Sequence, residues 1–206
     1  MHIPDGYLSA PVLIGCGAVS ICALFIAGRK MGGSVDQAQV PAMGIIAAFI
    51  FAAQMINFPI AGGTSGHVLG GVLSAVLVGP EAGVLIMSVV LIVQALLFGD
   101  GGLLSLGANI LNMALIGAWG GFLIFRALKK LLRNDVVALG IASWLSVVLP
   151  ASACAIELSL SGTVALSVAL PLMAGIHAII GIGEAIVTVV AISFVRRVRP
   201  EIALRG

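Results

Sequence analysis

The sequence predicts an all-α protein, a polytopic bundle of membrane helices, and three observations carry that reading. Of its 206 residues, 61% are hydrophobic and only 9% charged, with a mean hydropathy of +1.24. Its apolar runs are long enough to cross roughly 30 Å of hydrocarbon. They are also dense in alanine and in the chain's 27 glycines, the small residues that let membrane helices approach closely. No polar stretch is left over for a water-soluble unit, so residues 1–206 are read as a single integral membrane domain.

The elements follow from the interruptions. A first span fits residues 8–28 and stops at Arg29 and Lys30; a second fits 41–58, before Pro59 and the glycine-rich run Gly62-Gly63-Thr64-Ser65-Gly66. Residues 67–79 make a third, about 20 Å long as a helix and short for a crossing. Pro80 and Glu81 open a fourth run to Phe98, and the loop Gly99-Asp100-Gly101-Gly102 separates it from a fifth at 107–125. After a basic connection from Arg126 to Asp135 comes a sixth segment, 136–158, broken by Pro150. The last apolar run, 163–195, is too long for one span, and Pro171 should divide it into an interfacial piece and a seventh span.

Seven spans put the two ends of the chain on opposite sides. With the N-terminus outside, Arg29, Lys30, Arg126, Lys129, Lys130, Arg133, Arg196, Arg197, Arg199 and Arg205 all fall in cytoplasmic segments, and these are every Lys and Arg present. The positive-inside rule therefore predicts an outer N-terminus and a cytoplasmic C-terminus. The three cysteines, Cys16, Cys22 and Cys154, lie in apolar segments without CxxC spacing and read as small packing residues.

Met1 and His2 lead straight into Ile3-Pro4-Asp5-Gly6, an uncharged start unlike a secretory leader and expected to remain in the mature protein. A free α-amine, the backbone nitrogen of His2 and its Nδ1 can close a five-membered and then a six-membered chelate ring. Three nitrogens then lie in one plane, which suits Ni(II) or Cu(II), whereas Zn(II) prefers a tetrahedron. His67, after the glycine-rich run and on the same outer face, is the candidate fourth nitrogen; helix capping or an interface position is its bland alternative. Thr64 and Ser65 either orient that imidazole from outside or serve ordinary turn chemistry.

These stretches carry a resemblance. MHIPDGYLS at 1–9, GGTSGHVLGG at 62–71 and GANILNMALIG at 107–117 resemble the metal-binding S components of bacterial nickel and cobalt energy-coupling-factor (ECF) transporters, the CbiM/NikM family. The resemblance implies that the Met1 amine, the amide nitrogen and imidazole of His2, and His67 hold the ion. It implies an extra first helix ahead of a six-helix core in a multi-pass protein of the bacterial cell (inner) membrane. It also implies a transmembrane coupling (T) subunit, two cytoplasmic ATPase subunits and, with no further metal-binding domain fused at either end, a separate small accessory membrane subunit. Gly44, Ala48 and Ala52 form a smooth stripe on the second span, read either as internal packing or, as the resemblance implies, as the coupling-subunit contact.

The remaining polar residues at membrane depth, Gln54, Asn57, Gln94, Asn109, Asn112, His177 and Glu184, need partners. Asn109 and Asn112 share a helix face and either hold the loops over the metal or tie helices together. His177 and Glu184, two turns apart, read as a proton relay or as structural groups, with Glu184 contacting a partner or a buried hydroxyl. Trp119 and Trp144 read as packing or interface aromatics.

No GxxxxGK[ST] occurs, so the chain holds no nucleotide through a P-loop, and energy must come from another subunit or an ion gradient. The expected function is capture of Ni(II), or Co(II), from outside as an S component. An ion-coupled permease working through His177 and Glu184 is the alternative transporter. An intramembrane enzyme using Ser65 and His67 is the alternative class, and it lacks both GxSxG and HExxH. No nucleic-acid partner is expected.

Overall fold

The computed structural model describes residues 1–32, 39–60 and 64–198. The protein is mostly helical: α1 (Ala10–Gly32), α2 (Gln39–Gln54), a hairpin of β1 (Phe58–Ile60) and β2 (Thr64–Gly66), α3 (Gly71–Val78), α4 (Pro80–Phe98), α5 (Leu106–Leu132), α6 (Asp135–Leu160) and α7 (Leu166–Val198). Among the described residues, α1, α4, α5, α6 and α7 are long and apolar enough to cross a membrane, while α2 is apolar but shorter. Gly62, Gly63, Arg199 and Arg205, which the sequence reading used, lie outside the described residues.

Three expectations are corrected. α7 runs unbroken through Pro171, and α6 through Pro150. A proline deletes one helical hydrogen bond and crowds the preceding turn, but packing against neighbouring helices tolerates that loss inside a bundle. The third span is helical over only part of its length. Residues 64–66 pair antiparallel with 58–60, in the register Phe58↔Gly66, Pro59↔Ser65 and Ile60↔Thr64, and the helix starts only at Gly71. The chain cannot be helical sooner, because Gly70 sits at φ 77°, a left-handed conformation that glycine adopts without strain. The amides of Leu69 and Gly70 are also committed to Glu184, at 2.8 and 2.7 Å. What remains, α3, is about 12 Å long, and all eight of its residues are buried among α4, α5, α6 and α7.

Small residues set the closest helix approach. At the crossing of α1 and α5, a side chain on Gly107 would meet the Gly17 Cα at 2.6 Å, and Ser20 Oγ donates to the Gly107 carbonyl at 2.6 Å. Two π-helical stretches interrupt the regular winding, Gln94–Phe98 at the end of α4 and Leu111–Gly120 within α5. Both adjoin the polar interior described next, the setting in which π-turns most often occur.

The two ends of the bundle differ in chemistry. The C-termini of α1, α5 and α7 and the N-termini of α4 and α6 meet at one end, with ion pairs Lys30–Glu81 and Lys129–Asp135 at 3.0 Å and Arg196–Asp135 at 3.3 Å. Residues 1–7, the loop at 99–105 and the hairpin gather at the other.

Candidate metal centre

The N-terminal segment is carried into the protein by main-chain contacts that its own sequence supplies. Asn109 clamps Ile3 from both sides: its Oδ1 accepts from the Ile3 amide at 2.8 Å, and its Nδ2 donates to the Ile3 carbonyl at 3.1 Å. Gly102 N donates to the same carbonyl at 2.9 Å. The Asp5 carboxylate accepts from the amides of Leu103, Leu104 and Ser105 at 3.1, 2.8 and 3.1 Å, three donors at the start of α5 that no helical carbonyl can satisfy. Gly6, at φ 89°, turns the chain away toward α1.

Held in this way, Met1 is 0% and His2 3% exposed. The α-amine donates to the Ser65 carbonyl and lies 3.3 Å from both Ser65 Oγ and His67 Nε2. The backbone nitrogen and Nδ1 of His2 are each 3.4 Å from the same Ser65 Oγ. The two imidazoles stand with centroids 4.8 Å apart and planes tilted 34°. Four nitrogens thus converge beside Ser65.

Their protonation is set from behind. His2 Nε2 faces Gln94 Oε1 at 3.0 Å, and His67 Nδ1 faces the Val68 carbonyl at 2.7 Å. Both partners accept, so protons on those atoms leave the lone pairs of His2 Nδ1 and His67 Nε2 toward the centre, where Asp100 Oδ1 also stands 3.4 Å from His2 Nδ1. Burial lowers the pKa of the amine from 8.0 to about 5, against the opposing influence of Cys154 and Asp100. Burial lowers His2 from 6.5 to about 3 and holds His67 well below 6.5. At neutral pH the amine and both imidazoles carry no charge and offer lone pairs, the form a transition-metal ion requires. Among the described residues no three His, Cys, Asp or Glu side chains cluster in a metal-holding group, and two of the four nitrogens beside Ser65 belong to the main chain.

Other sequence candidates sort themselves around this centre. Thr64 bonds Met173 Sδ at 3.1 Å and does not orient His67; Ser65 contacts the amine and His2 instead. Asn109 holds the N-terminal segment, whereas Asn112 ties helices, donating to Glu157 at 2.7 Å. Glu184 meets neither a hydroxyl nor an outward surface: both its oxygens hold the turn two residues beyond His67, and Gln54 holds the same turn by donating to the Leu69 carbonyl at 2.8 Å. No hydrogen bond joins His177 to Glu184; His177 Nδ1 donates to the Met173 carbonyl at 2.8 Å, and its ring lies near enough to His67 to act on it electrostatically. Asn57 pairs with Asp100 at 3.0 Å. Trp144 Nε1 donates to the Ala178 carbonyl at 2.9 Å, whereas Trp119 is exposed. Cys16 and Cys154 are buried, but Cys22 is exposed. Gly44, Ala48 and Ala52 are exposed, so the stripe is not internal packing. Two groups escaped the sequence reading: Glu157, 7% exposed within an apolar helix, where its charge was the available signal, and Asp5, whose capping role has no local signal.

A multi-pass helical bundle that folds its own amino terminus between two imidazoles of fixed tautomer is a membrane protein built around a small nitrogen-lined centre. Residues 2–202 match the family described as CbiM, cobalt uptake substrate-specific transmembrane region, and the chain belongs to that family. It is 40% identical over 204 residues to the putative fused nickel transport protein NikMN of Archaeoglobus fulgidus, covering 98% of this chain and 68% of the relative. It is 36% identical to the fused nickel transport protein NikMN of Rhodobacter capsulatus, over 98% of this chain and 63% of the relative, so it spans about two thirds of these fused proteins. A crystal structure described as a transition metal transporter matches all of this chain and 96% of its own, with a TM-score of 0.91 at 38% identity. Family and fold alike support metal uptake by a transport protein.

Proposed function

We propose that the chain captures Ni(II), with Co(II) as the second cargo, as the S component of an ECF-type importer. The Met1 amine, the backbone nitrogen and Nδ1 of His2, and His67 Nε2 are its ligands. The observation that carries this reading is the buried α-amine 3.3 Å from His67 Nε2, with both imidazoles hydrogen-bonded from behind so that their lone pairs face it. Outer partners of this kind fix ligand orientation in metal sites. Planar nitrogen coordination favours Ni(II), and the nickel and cobalt names of the relatives agree with both cargoes.

The site faces outward in this reading and the basic end faces the cytoplasm of the cell membrane. Every described Lys and Arg lies at the end opposite Met1, as the positive-inside rule requires. The exposed stripe of Gly44, Ala48 and Ala52 on α2 docks the coupling subunit, two cytoplasmic ATPases supply the energy, and a small accessory membrane subunit completes the importer. Ala48→Leu should leave metal binding intact while stopping uptake in cells that carry the whole importer, because the bulk holds two helices apart; uptake at the normal rate would remove the stripe from the interface.

The decisive test adds three alanines before Met1, because a single added residue would place His2 third from a new free amine, itself a planar four-nitrogen chelate for Ni(II). The amine becomes an amide, the chelate loses its terminal donor, and the affinity for Ni(II) measured by titration of purified protein should fall by more than the roughly 100-fold that loss of an outer partner costs. Equal affinity with a free native terminus and with the three added alanines would refute the ligand set.

A further inference from the structure

We infer that Asp100 admits the cation to the nitrogen centre and balances its charge there, an inference that rests on the ligand set proposed above. Oδ1 of Asp100 lies 3.4 Å from His2 Nδ1, and its other oxygen is held by Asn57 Nδ2 at 3.0 Å. Its side chain is 17% exposed, whereas Met1, His2 and His67 are 0, 3 and 2% exposed. A hydrated cation arriving from water therefore meets the carboxylate before it meets any of the nitrogens. The carboxylate also acts electrostatically on the buried amine.

The loop is shaped to put it there. Gly99 and Gly101 take φ of 63° and 95°, Asp100 N donates to the Gln94 carbonyl at 3.1 Å, and Gly102 N to Ile3 O at 2.9 Å. At Gly101 a side chain would stand 3.2 Å from His2 Cδ2 and 3.1 Å from Asn109 Nδ2, so glycine lets the loop lie directly over the imidazole. Gln94, which fixes the tautomer of His2 through its side chain, thus also anchors the Asp100 backbone.

Charge makes the carboxylate necessary. A divalent ion bound by a neutral amine, two neutral imidazoles and one backbone nitrogen, which must release its proton to offer a lone pair, leaves a net charge of one plus in a buried centre. An unpaired charge there is costly. The other carboxylates nearby are committed: Asp5 to the amides of Leu103, Leu104 and Ser105, Glu184 to those of Leu69 and Gly70, and Glu157 to Asn112 and Cys16. Asp100 supplies the missing minus one, and the proton released by the amide leaves to solvent.

The test is the rate and affinity of Ni(II) binding to the full chain, wild type and Asp100→Asn, by stopped-flow and by titration at low and high ionic strength. Asn keeps an oxygen for Asn57 to bond but removes the charge. The expected result is a roughly tenfold or greater drop in association rate at low salt, loss of its salt dependence, and an affinity weaker by about 10–100-fold. Wild-type rate and affinity in Asp100→Asn would overturn the inference, since a carboxylate that merely holds the loop is replaced by Asn at no loss. Should that variant fail to fold, a wild-type association rate indifferent to ionic strength overturns it equally. The three alanines added before Met1 and His67→Ala run alongside: if they abolish binding while Asp100→Asn binds normally, the role of Asp100 fails and the ligands stand, whereas normal binding by all of them removes the ligand set itself.

Discussion

The two ends of this bundle hold most of its polar chemistry and treat it in opposite ways. At one end the charged groups are exposed or half-exposed and paired across short gaps: Lys30 with Glu81, and Asp135 with both Lys129 and Arg196. At the other end an amine, two imidazoles, two carboxamides and a serine are buried and bonded mainly through single, directional hydrogen bonds to main-chain groups. The first arrangement tolerates change, because exposed ion pairs gain little over hydration. The second does not, because a buried polar atom that loses its partner keeps the full desolvation penalty. Orientation in the membrane needs only the first kind of chemistry, and a metal centre needs the second.

The contrast breaks most readily at Asn109. Asn109→Ala removes both bonds to Ile3 and releases the segment that carries the amine and His2, so affinity for Ni(II) should fall by about 10–100-fold. Titration of the purified variant checks this, and unchanged affinity would mean that Asp5 and Gly102 position the terminus without help.

Acid sharpens it. The unfolded chain takes up a proton on its amine as pH falls through 8.0 and on its imidazoles through 6.5, whereas the folded amine waits until about 5 and His2 until about 3. Stability of the metal-free protein should therefore decline as pH falls from 8 toward 5. Above about pH 5 no proton competes for the amine, so metal affinity measured on the folded protein should fall only by the roughly tenfold per pH unit that release of one amide proton imposes, and more steeply below it. The ordinary pKa values of these groups place the loss between 6.5 and 8.0, so thermal melts and titrations across that interval separate the buried site from an exposed one.

The smallest effect belongs to the other end. Lys129→Ala breaks one exposed pair with Asp135, which Arg196 continues to contact, and should cost no more than about 1 kcal/mol in denaturation while leaving Ni(II) affinity unchanged. A loss of binding there would mean that the two ends are coupled.

What the sequence determined by itself is whatever depends on covalent neighbours and on bulk transfer to lipid. Long apolar runs, read as seven spans, located the five helices long and apolar enough to cross a membrane, and the spacing of Lys and Arg sorted them into one set of ends. Met1 and His2 were legible as candidate chelating groups because one peptide bond sets their nitrogens at the spacing of two chelate rings, whatever the fold. The tertiary structure decided everything that depends on a distant backbone group. Pro171 and Pro150 stay inside helices because neighbours support the turns they weaken; the helix after His67 is delayed to Gly71 because Glu184, more than a hundred residues away, occupies the amides of Leu69 and Gly70. Gln94 and Val68 choose the tautomers, and Asp5 caps a helix start about a hundred residues further on. A carbonyl or an amide looks the same at every position of a sequence, so only the folded chain reveals which of them a side chain will meet.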